Sequence, residues 1–334
     1  MSLSKIEELP DLLEYSKIIL LLHDKRILCS DDSEVSIFDI KKRPFEKIQI
    51  IKQYDITDII QLSNTNLVFV HENRIIIYKE NYPTYRGHRT LVESKNDNVR
   101  FIKAVELSKN RIAVISGLTI IIWSTTEPYN KIATLTGHTN YVSTIMKPKG
   151  REMLISASED CSISFWNLKT YQCESIYGLI ETEDGKRMIQ IDDNRVLFFS
   201  NRIYIINLNS YSIEKVFYIR PCIDVIKLDD DTILFYGNNF YFYDCRTKTL
   251  KGDHSIHFSN SILNVVKLSE NLLLANMSRQ FYLVKYNTCK NNKGKKINLE
   301  KTKKIENINN ESNIEKKDEK FSIGTTSYEI VSTS

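Results

Sequence analysis

The feature that most constrains this chain is an internal period close to forty residues. A short apolar run, a turn and a second apolar run recur seven times. The copies are RILCSDDSEVSIFDI, NLVFVHENRIIIYKE, RIAVISGLTIIIWST, EMLISASEDCSISFWNL, RVLFFSNRIYIINL, TILFYGNNFYFYDC and LLLANMSRQFYLVKY. Equivalent positions fall on Phe38, Tyr78, Trp123, Trp166, Ile206, Tyr243 and Val284, at intervals of 40, 45, 43, 40, 37 and 41. A second phrase, apolar–polar–apolar before a turn, precedes most copies, and its anchors Leu62, Leu107, Met146, Ile191, Leu228 and Leu268 keep the same spacing. Two landmarks sharing one period mark stacked supersecondary units.

The runs are rich in Ile, Val, Tyr and Phe and are divided by Asn, Asp, Gly and Ser, the pattern of short strands buried on both faces. Each period has room for four such strands. A sheet of that size cannot bury both faces alone, whereas seven packed radially cover one another. The expected fold is therefore all-β: a seven-bladed β-propeller of four-stranded antiparallel blades over residues 1–289. A Lys/Asn-rich tail, 290–334, follows. Its stretch 290–320 carries ten Lys against six Asp and Glu, the whole of the +4 net charge, and few large apolar side chains. Such a segment is expected to be disordered, and charge confined to a tail argues against nucleic acid as a partner of the propeller. The expected outer strand of the last blade is residues 4–9, because SKIEEL aligns with NKIATL at 130–135; FSIGTTSYEIVS at 321–332 is the rival.

No apolar run approaches a membrane span. The six cysteines are scattered without a CxxC pair, as reduced thiols in a cytoplasmic or nuclear protein would be.

Residues 131–169 carry Gly137-His138, the strand Ser-Ala-Ser, an acidic turn and Trp166-Asn167. This stretch resembles a repeat of the WD-repeat family. The resemblance implies that His138, Ser156, Asp160 and Trp166 form a structural hydrogen-bonded tetrad. The stretch 84–124 resembles the same repeat in part, and implies a partial tetrad of His88, Ser116 and Trp123. The sixth copy keeps Tyr243-Asp244 and the first Phe38-Asp39, while the fifth and seventh keep only the apolar pattern.

No phosphate loop, metal-spaced His/Cys set or nucleophile motif is present, so no catalytic residue, cofactor or metal is expected. The resemblance implies instead a scaffold that binds protein or peptide partners on the face where each first strand begins. The corresponding positions are Thr57, Ile102, Tyr141, Lys186, Ile223 and Leu263. The alternative is a substrate receptor of a cullin-type ubiquitin ligase, because YDCR at 243–246 resembles the family's Trp-Asp-x-Arg ending and would make Arg246 an adaptor contact. An enzyme built on the propeller is the third class.

Overall fold

The computed structural model describes residues 16–41, 46–93, 100–107, 110–178, 185, 187–219, 222–253, 262–277, 280–289 and 296–301. Each sequence repeat folds into one four-stranded antiparallel sheet whose strands pair in chain order. The first sheet holds β1 (Ile18–Leu21), β2 (Ile27–Ser30), β3 (Glu34–Asp39) and β4 (Glu46–Lys52). The second holds β5 (Ile56–Gln61), β6 (Leu67–His71), β7 (Arg74–Asn81) and β8 (Thr84–Glu93); the third, β9 (Phe101–Glu106), β10 (Arg111–Ser116), β11 (Thr119–Ser124) and β12 (Lys131–Leu135). The fourth comprises β13 (Val142–Met146), β14 (Met153–Ser158), β15 (Ser162–Asn167) and β16 (Cys173–Gly178), and the fifth β17 (Arg187–Asp192), β18 (Arg195–Phe199), β19 (Ile203–Asn207) and β20 (Ser212–Phe217). These five sheets form one compact unit, Ser16–Lys42 with Glu46–Arg220. A second unit, which includes Pro221–Ser334, contains two more sheets. They are β21 (Cys222–Lys227), β22 (Thr232–Gly237), β23 (Phe240–Asp244) and β24 (Thr249–Asp253), then β25 (Asn264–Ser269), β26 (Leu272–Met277), β27 (Gln280–Cys289) and β28 (Lys296–Lys301).

The sequence anchors mark one register position. Phe38, Tyr78, Trp123, Trp166, Ile206, Tyr243 and Val284 all lie on third strands, opposite Ile27, Leu67, Ile112, Leu154, Val196, Ile233 and Leu273 of the second strands. The middle strands β6, β14 and β22 are buried at every residue, while the outer strand β16 is half or fully exposed throughout. This gradient follows from where the apolar cores form.

The cores lie between sheets. Leu28, Val35 and Ile37 of the first sheet pack with Ile59, Leu67 and Phe69 of the second. The second face of β6 and β7, through Val68, Val70 and Ile75, packs with Ala104, Ile112 and Val114 of the third. The third and fourth sheets meet through Ala113, Ile122, Leu154 and Trp166, and the fourth and fifth through Ile155, Phe165, Phe198 and Tyr204. In the second unit, Leu234, Phe242, Leu273 and Val284 do the same. A strand that must satisfy two cores has no polar face, which is why the middle strands read as continuous apolar runs.

Polar ties follow the same sheet-to-sheet pattern. Phe101 N–H donates to the Glu72 carbonyl (2.8 Å) and Val142 N–H to the Gly117 carbonyl (2.9 Å). Three arginines at or just before second strands reach a carbonyl in the third-to-fourth-strand turn of the next sheet: Arg26 to Pro83, Arg111 to Leu168 (3.5 Å) and Arg151 to Leu208 (3.2 Å). The separation in sequence is 57 residues each time.

The outer position of the last sheet, which the sequence reading gave to residues 4–9, is held by β28. It pairs with β27 from Val284↔Lys301 to Cys289↔Lys296. Residues 4–9 and 321–332 lie outside the described residues. The sheet therefore extends beyond the 289/290 boundary and draws a strand from the Lys/Asn-rich segment. Composition hid this strand. In KINLEK, Ile297 and Leu299 alternate with polar residues, and an outer strand needs only one apolar face.

Candidate functional site

The fourth sheet brings His138, Ser156, Asp160 and Trp166 together. Ser156 stands on β14, Trp166 on β15, Asp160 in the hairpin joining them, and His138 in the segment leading into β13. Trp166 Nε1 lies 2.8 Å from Ser156 Oγ, Ser156 Oγ 2.7 Å from His138 Nε2, and His138 Nδ1 2.9 Å from Asp160 Oδ2. An indole N–H can only donate and a carboxylate can only accept. With a neutral imidazole the direction is fixed: Trp166 donates to Ser156, Ser156 to His138, and His138 to Asp160. The imidazole sits edge-on to the indole, with ring centroids 6.0 Å apart. Gly137 packs closely beside it: a Cβ there would stand 3.2 Å from the indole Cη2, tighter than an ordinary contact.

Asp160 also accepts from Thr139 N–H (2.9 Å), Ser162 N–H (2.9 Å) and the Ser162 hydroxyl (2.5 Å). Partial burial works against its charged form, but the Ser162 hydroxyl, Thr139 N–H and His138 outweigh it and hold the carboxyl below its ordinary range. The adjacent Glu159 N–H donates to the Tyr141 carbonyl (2.9 Å). The network thus runs from the buried indole to the loop before β13, whose Tyr141 side chain is 56% exposed.

Two further exposed side chains share this end of the sheets in the same unit. Leu118, 44% exposed, follows Gly117, the acceptor for Val142 N–H. Tyr54, 57% exposed, has its carbonyl held by Nδ1–H of the buried His71 (2.7 Å). Sequence reasoning missed both, since each lies one residue or more from the first-strand positions that were counted.

Of those positions, Tyr141 is the exposed one in this unit. Thr57 donates to a carbonyl, with Val70 and Phe101 both at 3.1 Å, and so bridges the second and third sheets. Ile102 is half-buried against the core between the third and fourth sheets. In the second unit Ile223 is half-buried and Leu263 exposed. Lys186 lies outside the described residues.

The partial tetrad does not assemble. His88 lies in the middle of β8, on the rim of the second sheet, where Nε2 meets the Tyr129 hydroxyl at 2.9 Å. Ser116 stands at the register of Ser158, two residues beyond that of Ser156; the residue at the Ser156 register is Val114. Trp123 Nε1 is buried without a hydrogen-bond partner among the described residues. The Gly-His dipeptide matched by composition but stands in a different strand from the one that the network requires.

Arg246 is exposed and bound within its own sheet, with Nε and Nη2 on the Asp231 carboxylate at 2.6 and 2.5 Å. The adjacent Asp244 caps the turn by accepting from Arg246 N–H (2.8 Å) and Thr247 N–H (3.0 Å). Asn167 makes the same turn with Lys169 (2.8 Å) and Thr170 (3.1 Å), so Asn serves in Trp166-Asn167 where Asp would.

The inner strands carry a polar belt that the sequence did not announce. Asp58, Lys103, Thr144 and Arg187 stand at equivalent places on β5, β9, β13 and β17. Asp58 accepts from Ala104 N–H (3.0 Å) and Lys103 donates to the buried Thr144 hydroxyl (3.1 Å). Burial pushes the Asp58 carboxyl up, against the pull of the Ala104 N–H and Lys103. No group of His, Cys, Asp and Glu suited to a metal occurs among the described residues.

Four-stranded antiparallel sheets packed face to face, with a His–Ser–Asp–Trp network locking one of them, are the architecture of a β-propeller. The solved WD40 β-propeller domain of Doa1 matches with a TM-score of 0.64 over 82% of this chain and 94% of that one, at 15% identity, which shows the fold alone. Among curated proteins, the nuclear distribution proteins nudF 1 of Talaromyces marneffei and nudF of Aspergillus flavus are 41% and 38% identical over 58 residues. That match spans 17% of this chain and 13% of each relative. No family model matches the sequence.

Proposed function

We propose that this chain is a non-catalytic scaffold, a propeller of seven four-stranded blades that binds protein or peptide partners on the face where the first strands begin. The observation that carries the reading is Tyr141. Its side chain is more than half exposed although its loop is fastened from both sides, by Glu159 and through Thr139 to Asp160. An exposed aromatic on a pre-ordered loop loses little freedom on binding, which is what makes an anchor residue effective. Leu118 and Tyr54 supply apolar surface at the same end. The similarity to nudF over 58 residues and to a WD40 propeller domain agrees with an interaction role and identifies no partner.

The test is co-purification with quantitative mass spectrometry, using the tagged wild-type chain and Tyr141→Ala and Leu118→Asp variants shown by circular dichroism to be folded. Proteins captured through this face fall several-fold in both variants. Recovery of the same proteins in the same amounts from all three would sink the assignment. The ubiquitin-ligase reading makes a different demand: Arg246→Ala would release an adaptor while leaving the Tyr141-dependent proteins bound.

A further inference from the structure

The outer strands of the sheets are not equally protected. An edge strand presents unpaired N–H and C=O groups, and Lys or Arg on it discourages pairing with another chain. Lys47 on β4, Arg86 on β8, Lys131 on β12 and Lys215 on β20 provide such guards. β16 has none. Its sequence is CESIYG, and its one charge, Glu174, is turned to intramolecular partners: Asn167 Nδ2 donates to it at 2.7 Å and the Tyr211 hydroxyl at 3.2 Å. Ile176 and Tyr177 are 59% and 37% exposed, and β16 ends its sheet with β15 on its other side.

We infer that β16 is a homotypic pairing edge, where a second copy of this chain adds its own β16 antiparallel about a two-fold axis centred on Ile176. That axis keeps each side chain on its own face of the joined sheet. Ile176 then meets Ile176 of the second copy, Ser175 lies opposite Tyr177, and Glu174 lies opposite Gly178. The two Glu174 residues stand four positions apart along the strands, about 14 Å at ~3.4 Å per residue, so no like charges oppose. Pairing about Ser175 instead would set Glu174 against Ile176 and bring the carboxylates closer. The same surface patch serves both copies, so the contact closes as a dimer. A six-residue strand pair falls short of the roughly 1,000 Å² of a stable interface, and the association is concentration-dependent in the micromolar range.

Sedimentation velocity of the full chain tests this from about 5 to about 200 µM, the range in which a micromolar dimer populates. The wild type moves from the monomer mass toward twice that mass. Ile176→Lys, which installs the missing guard at an exposed position, weakens dimerisation at least tenfold; Val216→Lys, on the already guarded β20, leaves it unchanged. Amide exchange gives a second readout that needs no variant: protection of residues 173–178 rises with wild-type concentration. A wild type that stays monomeric across the range overturns the proposal. So does a dimer that persists undiminished in Ile176→Lys, or one that forms without added protection at 173–178.

Discussion

The third and fourth sheets each place a tryptophan at the same register of the third strand, yet only one of these indoles is satisfied. Trp166 donates to Ser156, and through it to His138 and Asp160. In the third sheet Val114 stands at the register of that serine, and Trp123 Nε1 has no partner among the described residues. Both sheets form, both pack into the same inter-sheet core, and both are four-stranded. The network is therefore not what makes a sheet. It ties the loop before β13, which carries Tyr141, to the buried indole.

The largest effect that separates the two sheets comes from removing the buried indole. Trp166→Ala should destabilise by about 3–5 kcal/mol, through the cavity and the lost contacts with both neighbouring strands, read as a shift in the urea denaturation midpoint. Ser156→Ala leaves two buried groups, the indole N–H and the imidazole, without their shared partner, and should cost about 2–6 kcal/mol at about 1–3 per unsatisfied group. His138→Ala should cost about 1–3 kcal/mol by the same reasoning. If it also lowers amide-exchange protection at 139–141, the tie between network and loop is confirmed; a stability loss with unchanged protection there would break the comparison at its functional end.

Acid tests the last link. The Asp160 carboxyl is held below its ordinary range, so its contribution is complete above the unfolded value, roughly pH 4, and fades as pH falls through the lower folded value. Asp160→Asn should flatten the acid limb of the stability profile below about pH 4, and wild type and variant should run parallel above about pH 5. An unchanged acid limb would show that the loop is held without that charge.

The smallest effect is a repair. Val114→Thr keeps the shape of the side chain and offers Trp123 an acceptor, and should change stability by less than about 1 kcal/mol. The chain has two tryptophans, so its nitrogen-15 spectrum carries two indole signals. The Trp166 indole proton should exchange slowly in every form, and that of Trp123 should slow only in Val114→Thr.

The anchors from Phe38 to Val284 were legible because a strand between two cores must be apolar at fixed spacing, and turn residues punctuate it. His138, Ser156, Asp160 and Trp166 were legible because each is a residue type that the apolar pattern does not call for. His88 and Ser116 misled because a dipeptide and a nearby serine carry no register: one residue lies in the wrong strand and the other two positions too far along. Arg26, Arg111 and Arg151 were not legible at all. Their acceptors are backbone carbonyls in the following repeat, and a carbonyl leaves no mark in a sequence. The strand β28 was hidden by the lysines around it, although KINLEK alternates as an edge strand should.

The cores lie between sheets, and this offsets the unit of inheritance from the unit of burial by half a step. Within the first unit, a gene segment encoding an internal repeat supplies half of two cores and the whole of none. Duplicating an internal repeat therefore adds one complete interface and uncovers nothing, provided that each sheet accepts either neighbour. Losing a terminal repeat lays bare an entire apolar face. A lineage of such chains can lengthen by small tandem copying errors, while a shortened reading frame yields a product with one sheet face open to aggregation.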